Sequence, residues 1–226
     1  MYTTVIFPMS EAPAVGFAVR ELEKQGVAIA DSLSPAVTHV LLSVPTKETV
    51  LPQGVTIIGG NLEDGYPKID LLKDEQYLAE NAAITADCAL RLLAEHLPVT
   101  FYGCPVLIIG WGRIGKCLAS MLKALGAEVT VAARKPADLG MLTALGYKTA
   151  EIGKFDPVPY RAIVNTAPAP VLSAGGNAIK IDLASSLGMA GEDVIWARGL
   201  PGKMLPEASG TLIARCVLRH LREGTV

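Results

Sequence analysis

Two hydropathy patterns alternate along the chain: short apolar runs of strand length, and longer segments whose apolar residues recur every three or four positions. The first pattern suits a buried strand and the second gives a helix one apolar face. Near the start, Thr3–Phe7 reads as a strand, and Ala14–Gln25 reads as a helix with Val15, Ala18, Val19 and Leu22 on one side. Val27–Ala30, Thr38–Ser43 and Val55–Ile58 read as three more strands. This alternation predicts a small flavodoxin-like α/β domain.

A helix is predicted over Thr85–Leu97, with Ala86, Ala89, Leu90, Leu93 and Leu97 as its apolar stripe. Thr85 stands where an N-cap is expected and Asp87 falls in the first turn. Pro98 and Gly103 punctuate the connection that follows. Val106, Leu107, Ile108 and Ile109 then form a continuous apolar run, as in a strand buried on both faces. Ile114, Leu118, Leu122 and Leu125 recur at helical spacing, Gly126 ends that helix, and Glu128–Ala133 is the next strand. Together they make a βαβ unit of roughly 30 residues. Helix Ala137–Leu145, strands near Lys148–Ala150, Arg161–Thr166, Ala178–Asp182 and Asp193–Trp196, and a last helix Pro206–Leu221 complete the pattern. The expected architecture is α/β. A Rossmann doubly wound parallel sheet covers 85–204, and a smaller flavodoxin-like α/β domain is formed by 1–84 with 205–226.

The turn between the apolar run and its helix is Gly110-Trp111-Gly112-Arg113-Ile114-Gly115, a Gly-x-Gly-x-x-Gly in strand–turn–helix context. Each glycine has a separate task in a dinucleotide site. Gly110 permits the tight turn, Gly112 lets backbone approach a pyrophosphate, and Gly115 allows close helix–sheet packing. The helix N-terminus adds free N–H groups and a positive dipole end. An NAD site places a carboxylate about 20 residues further on, at the end of the second strand. Here that strand ends in Arg134-Lys135, and the first acid beyond is Asp138. A guanidinium can grip a 2′-phosphate with two hydrogen bonds, so NADP is expected over NAD.

Ligands in open α/β sheets bind outside the carboxyl ends of the strands. That rule selects Asn165, Thr166 and Ala167, then Asp182 and Leu183, then the loop Arg198–Lys203. Acid–base candidates are few: His39 falls in a strand, His96 at a helix end and His220 inside the last helix. Substrate-side candidates are Ser43 at a strand end, Thr85 at the predicted helix start and Lys203 in the Gly-Leu-Pro-Gly-Lys loop.

Composition narrows the function classes. The 226 residues are half apolar and only 19% charged, enough for filled cores and unlike a disordered chain. A net charge of −2, scattered basic residues and 5% aromatics argue against nucleic acid as a partner. No run reaches the roughly 18 apolar residues of a membrane span, and the first residues lack the basic region of a secretory signal. The expectation is a cytoplasmic protein. Cys88, Cys104, Cys117 and Cys216 are widely spaced, which points to neither a metal site nor a disulfide frame. A homo-oligomer is the common state for this architecture.

The chain resembles the family of dipicolinate synthase A subunits over about residues 75 to 222. The resemblance is carried by Asn81-Ala-Ala-Ile-Thr85-Ala-Asp87, Val106–Gly115, Leu122–Lys135, Ile163–Ala169, Ile181-Asp-Leu-Ala-Ser185 and Gly199-Leu-Pro-Gly-Lys203. The sequence departs from the family pattern at Ile84, where proline is usual, and at Asp87, where glutamate is usual. The resemblance implies an NADP-type subunit working with a second, flavoprotein-like subunit. Together they would act on a dihydrodipicolinate-pathway dicarboxylate during spore formation. It also implies the two-domain plan of formate and glycerate dehydrogenases, whose last helix returns to the first domain. Two alternatives stand beside it. A divergent NAD(P)-dependent 2-hydroxyacid dehydrogenase would need an acid–base histidine after the last strand, where only His220 lies. A non-catalytic NADP-binding sensor or assembly module would bind cofactor without turnover.

Overall fold

The computed structural model describes residues 4–47, 50–171 and 177–224. Thr3, expected to open the first strand, lies outside them. The chain divides into two compact units, residues 1–84 with 201–226 and residues 85–200.

The N-terminal unit is built on five parallel strands in the order β2–β1–β3–β4–β5. They are β1 (Val5–Pro8), β2 (Ala28–Ile29), β3 (His39–Leu41), β4 (Thr56–Gly59) and β5 (Lys68–Asp70). This 2-1-3-4-5 order is the flavodoxin-like winding. Helix α1 (Pro13–Lys24) turns Ala14, Val15, Ala18 and Leu22 into a core shared with Ile6, Leu41 and Ile58 of the sheet. The last helix, α6 (Pro206–Glu223), contributes Leu212, Ile213 and Val217 to the same core. A second cluster, with Val37, Val40, Leu42, Val55 and Ile57, is joined by Phe7 and Tyr66. The two helices meet at Gly210, where a β-carbon would stand 2.4 Å from the Ala14 carbonyl oxygen and 2.5 Å from the Phe17 β-carbon. Only glycine admits that approach.

Two features between residues 68 and 96 differ from the sequence expectation. Strand β5 and the 3-10 turn Leu71–Lys73 were not anticipated. Helix α2 runs Glu75–His96 and does not start at Thr85. Asp74 is its cap: Oδ1 accepts the backbone N–H of Gln76 at 2.9 Å and of Tyr77 at 3.0 Å. The apolar stripe begins earlier than the periodicity suggested, at buried Tyr77 and Ala82.

The second unit carries six parallel strands in the order β11–β10–β9–β6–β7–β8. They are β6 (Pro105–Ile109), β7 (Glu128–Ala133), β8 (Lys148–Glu151), β9 (Ala162–Asn165), β10 (Ile179–Asp182) and β11 (Val194–Trp196). Counted from β6 this is the Rossmann order 3-2-1-4-5-6, with the reversal of winding between β6 and β9. Helices α3 (Arg113–Ala124) and α4 (Pro136–Ala144) make the two crossovers of the first half. Val106, Leu107, Ile108 and Ile109 are all fully buried, as their uninterrupted apolar run requires. Part of the Arg198–Lys203 segment is the short helix α5 (Leu200–Met204) rather than loop. No helix among the described residues is long and apolar enough to cross a membrane.

Candidate functional site

The glycine turn sits where the strand order reverses, at the carboxyl end of β6. Gly110 has φ +108°, a backbone state that side chains rarely allow. A β-carbon there would also stand 2.5 Å from the Thr166 hydroxyl, and one on Gly115 would stand 2.3 Å from the Gly110 carbonyl oxygen. Thr166 holds its place through its backbone N–H and its hydroxyl, both donating to the Ile109 carbonyl at 2.8 and 3.0 Å. Gly112 is different. It is exposed, it caps α3, and a β-carbon on it would meet no atom within 4 Å. Two glycines are therefore required by the protein's own packing, and the third borders open space at a helix N-terminus. That is the cradle a pyrophosphate needs, and the residues present fit a dinucleotide. No acid stands in the first turn of α3; Arg113 opens it, exposed, and Ile114 follows half-buried.

Arg134 and Lys135 follow the last residue of β7, and both are exposed. Lys135 caps α4, and the nearest acid, Asp138, falls in the first turn of that helix. Trp111 packs edge-on against Tyr147, with ring centroids 5.7 Å apart, and Lys116 lies 5.8 Å from its ring centre. Lys123 lies over the Tyr147 ring at 4.6 Å, so this aromatic pair is bordered by cations on both sides.

At the ends of β9 and β10, Thr166 and Ala167 are half-buried, while Asn165 and Asp182 are fully buried and Leu183 nearly so. The polar atoms of Asn165 and Asp182 face one another and the adjoining backbone. Asn165 Nδ2 donates to Asp182 Oδ2 at 3.0 Å and to the Ala167 carbonyl at 3.0 Å. These two side chains brace the ends of β9 and β10. Glycine turn, Arg134, Lys135, Asn165–Ala167 and Asp182–Leu183 thus share the carboxyl edge of one sheet. Sequence reasoning missed Tyr147 and Gly188. A β-carbon on Gly188 would stand 2.6 Å from Asn165 Nδ2. No local pattern could have signalled either.

The substrate-side candidates fall on or beside three different elements. Ser43 follows β3, and its hydroxyl donates to the Pro45 carbonyl at 3.0 Å. Lys203 is exposed on α5. Thr85 is buried in the middle of α2, so the helix N-terminus expected to draw an anion there is at Asp74 instead.

The three histidines have three different settings. Burial lowers the pKa of His39, which lies 2.8 Å from the Thr38 hydroxyl. His96 is exposed on the last turn of α2. His220 Nε2 lies 2.8 Å from Asp74 Oδ2, and Arg219 donates to that same oxygen. Cys216 Sγ completes this group at 3.3 Å. Asp74, Cys216 and His220 are the sort of set that could hold a cation. The Arg219 guanidinium already supplies positive charge to the shared carboxylate, which makes the cluster an ion-paired tie between α6 and the start of α2. All four cysteines are free thiols.

No protein-family model matches the chain. Among curated proteins it is similar to the A subunit of dipicolinate synthase from Bacillus subtilis (strain 168), 28% identical over 172 residues. That match takes in 69% of this chain and 58% of the relative, so the chain spans under two thirds of that protein's length. Among solved structures it is similar to the dipicolinate synthase A chain from Bacillus subtilis. The TM-score is 0.80 at 21% identity, covering 99% of this chain and 97% of that one. The corresponding A subunit from Bacillus halodurans gives a TM-score of 0.79 at 20% identity, covering 98% and 99%. The resemblance to dipicolinate synthase A subunits read from the sequence is thus met again in a curated relative and in two solved folds.

Proposed function

We propose that this chain is an NADP-binding oxidoreductase subunit that acts, with a flavoprotein-like second subunit, on a small dicarboxylate of the dihydrodipicolinate pathway. One observation carries the reading. Gly110 and Gly115 are packed tight against protein, Gly112 is open, and an exposed Arg134 follows the next strand. The curated relative, named as a dipicolinate synthase subunit, supports the substrate class. The nicotinamide would supply the hydride chemistry. The chain's own part is to bind and orient. The first turn of α3 faces the pyrophosphate, Arg134 with Lys135 meets the 2′-phosphate, and Thr166, Ala167 and Leu183 line the nicotinamide side. Ser43 and Lys203 are the candidates for the substrate carboxylates. The setting proposed is cytoplasmic, with the chain as a homo-oligomer.

The test is to supply NADP(H) and candidate acids with and without the flavoprotein partner, and to follow nicotinamide absorbance. Turnover that requires the partner is the expected result. Turnover by this chain alone on a 2-hydroxy acid would replace the reading with a dehydrogenase. That alternative is disfavoured by His220, which is engaged with Asp74 in the N-terminal unit. Cofactor binding without turnover under any condition would replace it with a sensor or assembly module.

A further inference from the structure

The ends of β9 and β10 are joined by a buried carboxylate with four donors. Asp182 Oδ1 accepts the Ala184 N–H at 2.9 Å. Oδ2 accepts Asn165 Nδ2 at 3.0 Å, the Gly188 N–H at 2.8 Å and the Met189 N–H at 3.1 Å. Asn165 and Asp182 are register partners in the sheet, and both are 0% exposed. With one amide hydrogen of Asn165 directed at the carboxylate, its Oδ1 is left to accept the Ala167 N–H at 2.9 Å, while its other hydrogen goes to the Ala167 carbonyl. The carboxylate therefore fixes which way the Asn165 amide faces, and the amide fixes the backbone of the turn after β9. Thr166, inside that turn, is the residue pressed against Gly110. The two loops are also stitched directly, by the Val171 N–H to the Gly188 carbonyl at 2.8 Å.

A buried carboxylate costs folding free energy unless fully bonded, and an apolar residue often gives as much stability. Here three of the donors come from the segment after β10 and the fourth from Asn165, the last residue of β9, so all lie at the carboxyl edge of the sheet. In a doubly wound fold each mononucleotide half takes one half of a dinucleotide. The adenylate half lies on the β6–α3–β7 side and the nicotinamide half over β9 and β10. We infer that Asp182, acting through Asn165, is a positioning residue that presets the loops receiving the nicotinamide half. The inference rests on the dinucleotide reading above. Asp182 touches no cofactor in this arrangement; it spares binding the cost of ordering residues 166–169 and 183–189.

The test uses the full chain and two variants, Asp182→Asn and Asn165→Ala. Each is titrated with whichever dinucleotide the wild type binds more tightly, and with its adenylate half alone (2′,5′-ADP or 5′-AMP). The expected result is a rise of about tenfold or more in the dinucleotide Kd in at least one variant, with the adenylate Kd changed by under about threefold. A merely structural role would move both ligands together. Parallel loss of both ligands, unchanged affinity for both, or failure of both variants to fold would each overturn the inference. A wild type that binds neither ligand would instead refute the dinucleotide reading itself.

Discussion

A β-carbon on Gly115 would lie 2.3 Å from the carbonyl oxygen of Gly110, closer than any two such atoms can stand. The start of α3 and the end of β6 are thus in backbone contact across the turn. Gly112, between them in sequence, has no such neighbour. This difference separates folding from binding. Gly115→Ala should lower stability by about 1–3 kcal/mol, because a backbone atom must give way. Gly112→Ala should cost about 1 kcal/mol or less, the capping difference between glycine and alanine, yet raise the dinucleotide Kd at least about tenfold. Thermal melts and titrations of the two variants check this. A Gly112→Ala protein with unchanged affinity would remove the open glycine from the site.

Arg134 follows a strand end where an NAD site would place a carboxylate, and it is exposed to solvent. Its loss should therefore fall on one cofactor. Arg134→Ala is predicted to weaken NADPH by about tenfold or more and to leave NADH within about twofold. Arg134→Lys should recover part of the affinity, since an ammonium keeps the charge and loses the two-pronged geometry. Equal losses for both cofactors would show that Arg134 does not meet the 2′-phosphate.

The Asp74 tie makes the N-terminal unit sensitive to acid. Burial pushes the Asp74 carboxyl up, but the Tyr77 N–H and the donors His220, Cys216 and Arg219 outweigh it and hold the carboxyl well below the usual carboxylate range. A group depressed on folding stabilises fully above its unfolded pKa and loses that stabilisation as pH falls toward the folded value. The wild type should lose stability progressively below about pH 4. Asp74→Asn keeps an acceptor for the helix cap but loses the charge. It should cost about 1–3 kcal/mol at neutral pH and flatten the acid loss. Denaturation midpoints measured from pH 7 downward check the sign. An unchanged acid slope in the variant would dissociate Asp74 from the effect.

What the sequence made legible was local. The run Val106–Ile109 followed by three spaced glycines marks strand, turn and helix within a dozen residues, and the structure places all three elements there. The start of α2 was not legible, because Glu75, Gln76 and Glu80 dilute a stripe that Tyr77 and Ala82 begin. A sharper weight on Asp74, an acid before a helical run, would have found the cap. Strand β5 has three residues and follows Pro67, too little for a period of two to register. The inward turn of Asn165 and Asp182 depends on β9 pairing with β10 in one register, a contact across 17 positions that no short window contains. Thus the glycine turn could be read from spacing, and the bracing of the strand ends beside it could not.

If the turn from Gly110 to Gly115 holds a nicotinamide dinucleotide and Arg134 selects its phosphorylated form, the two forms must differ in affinity. The most direct measurement is a fluorescence titration of the wild-type chain with NADPH and with NADH under identical salt. Saturable binding of both is expected, with NADPH tighter by about tenfold or more. Tighter binding of NADH would contradict the selection by Arg134, and no saturable binding of either would contradict the site.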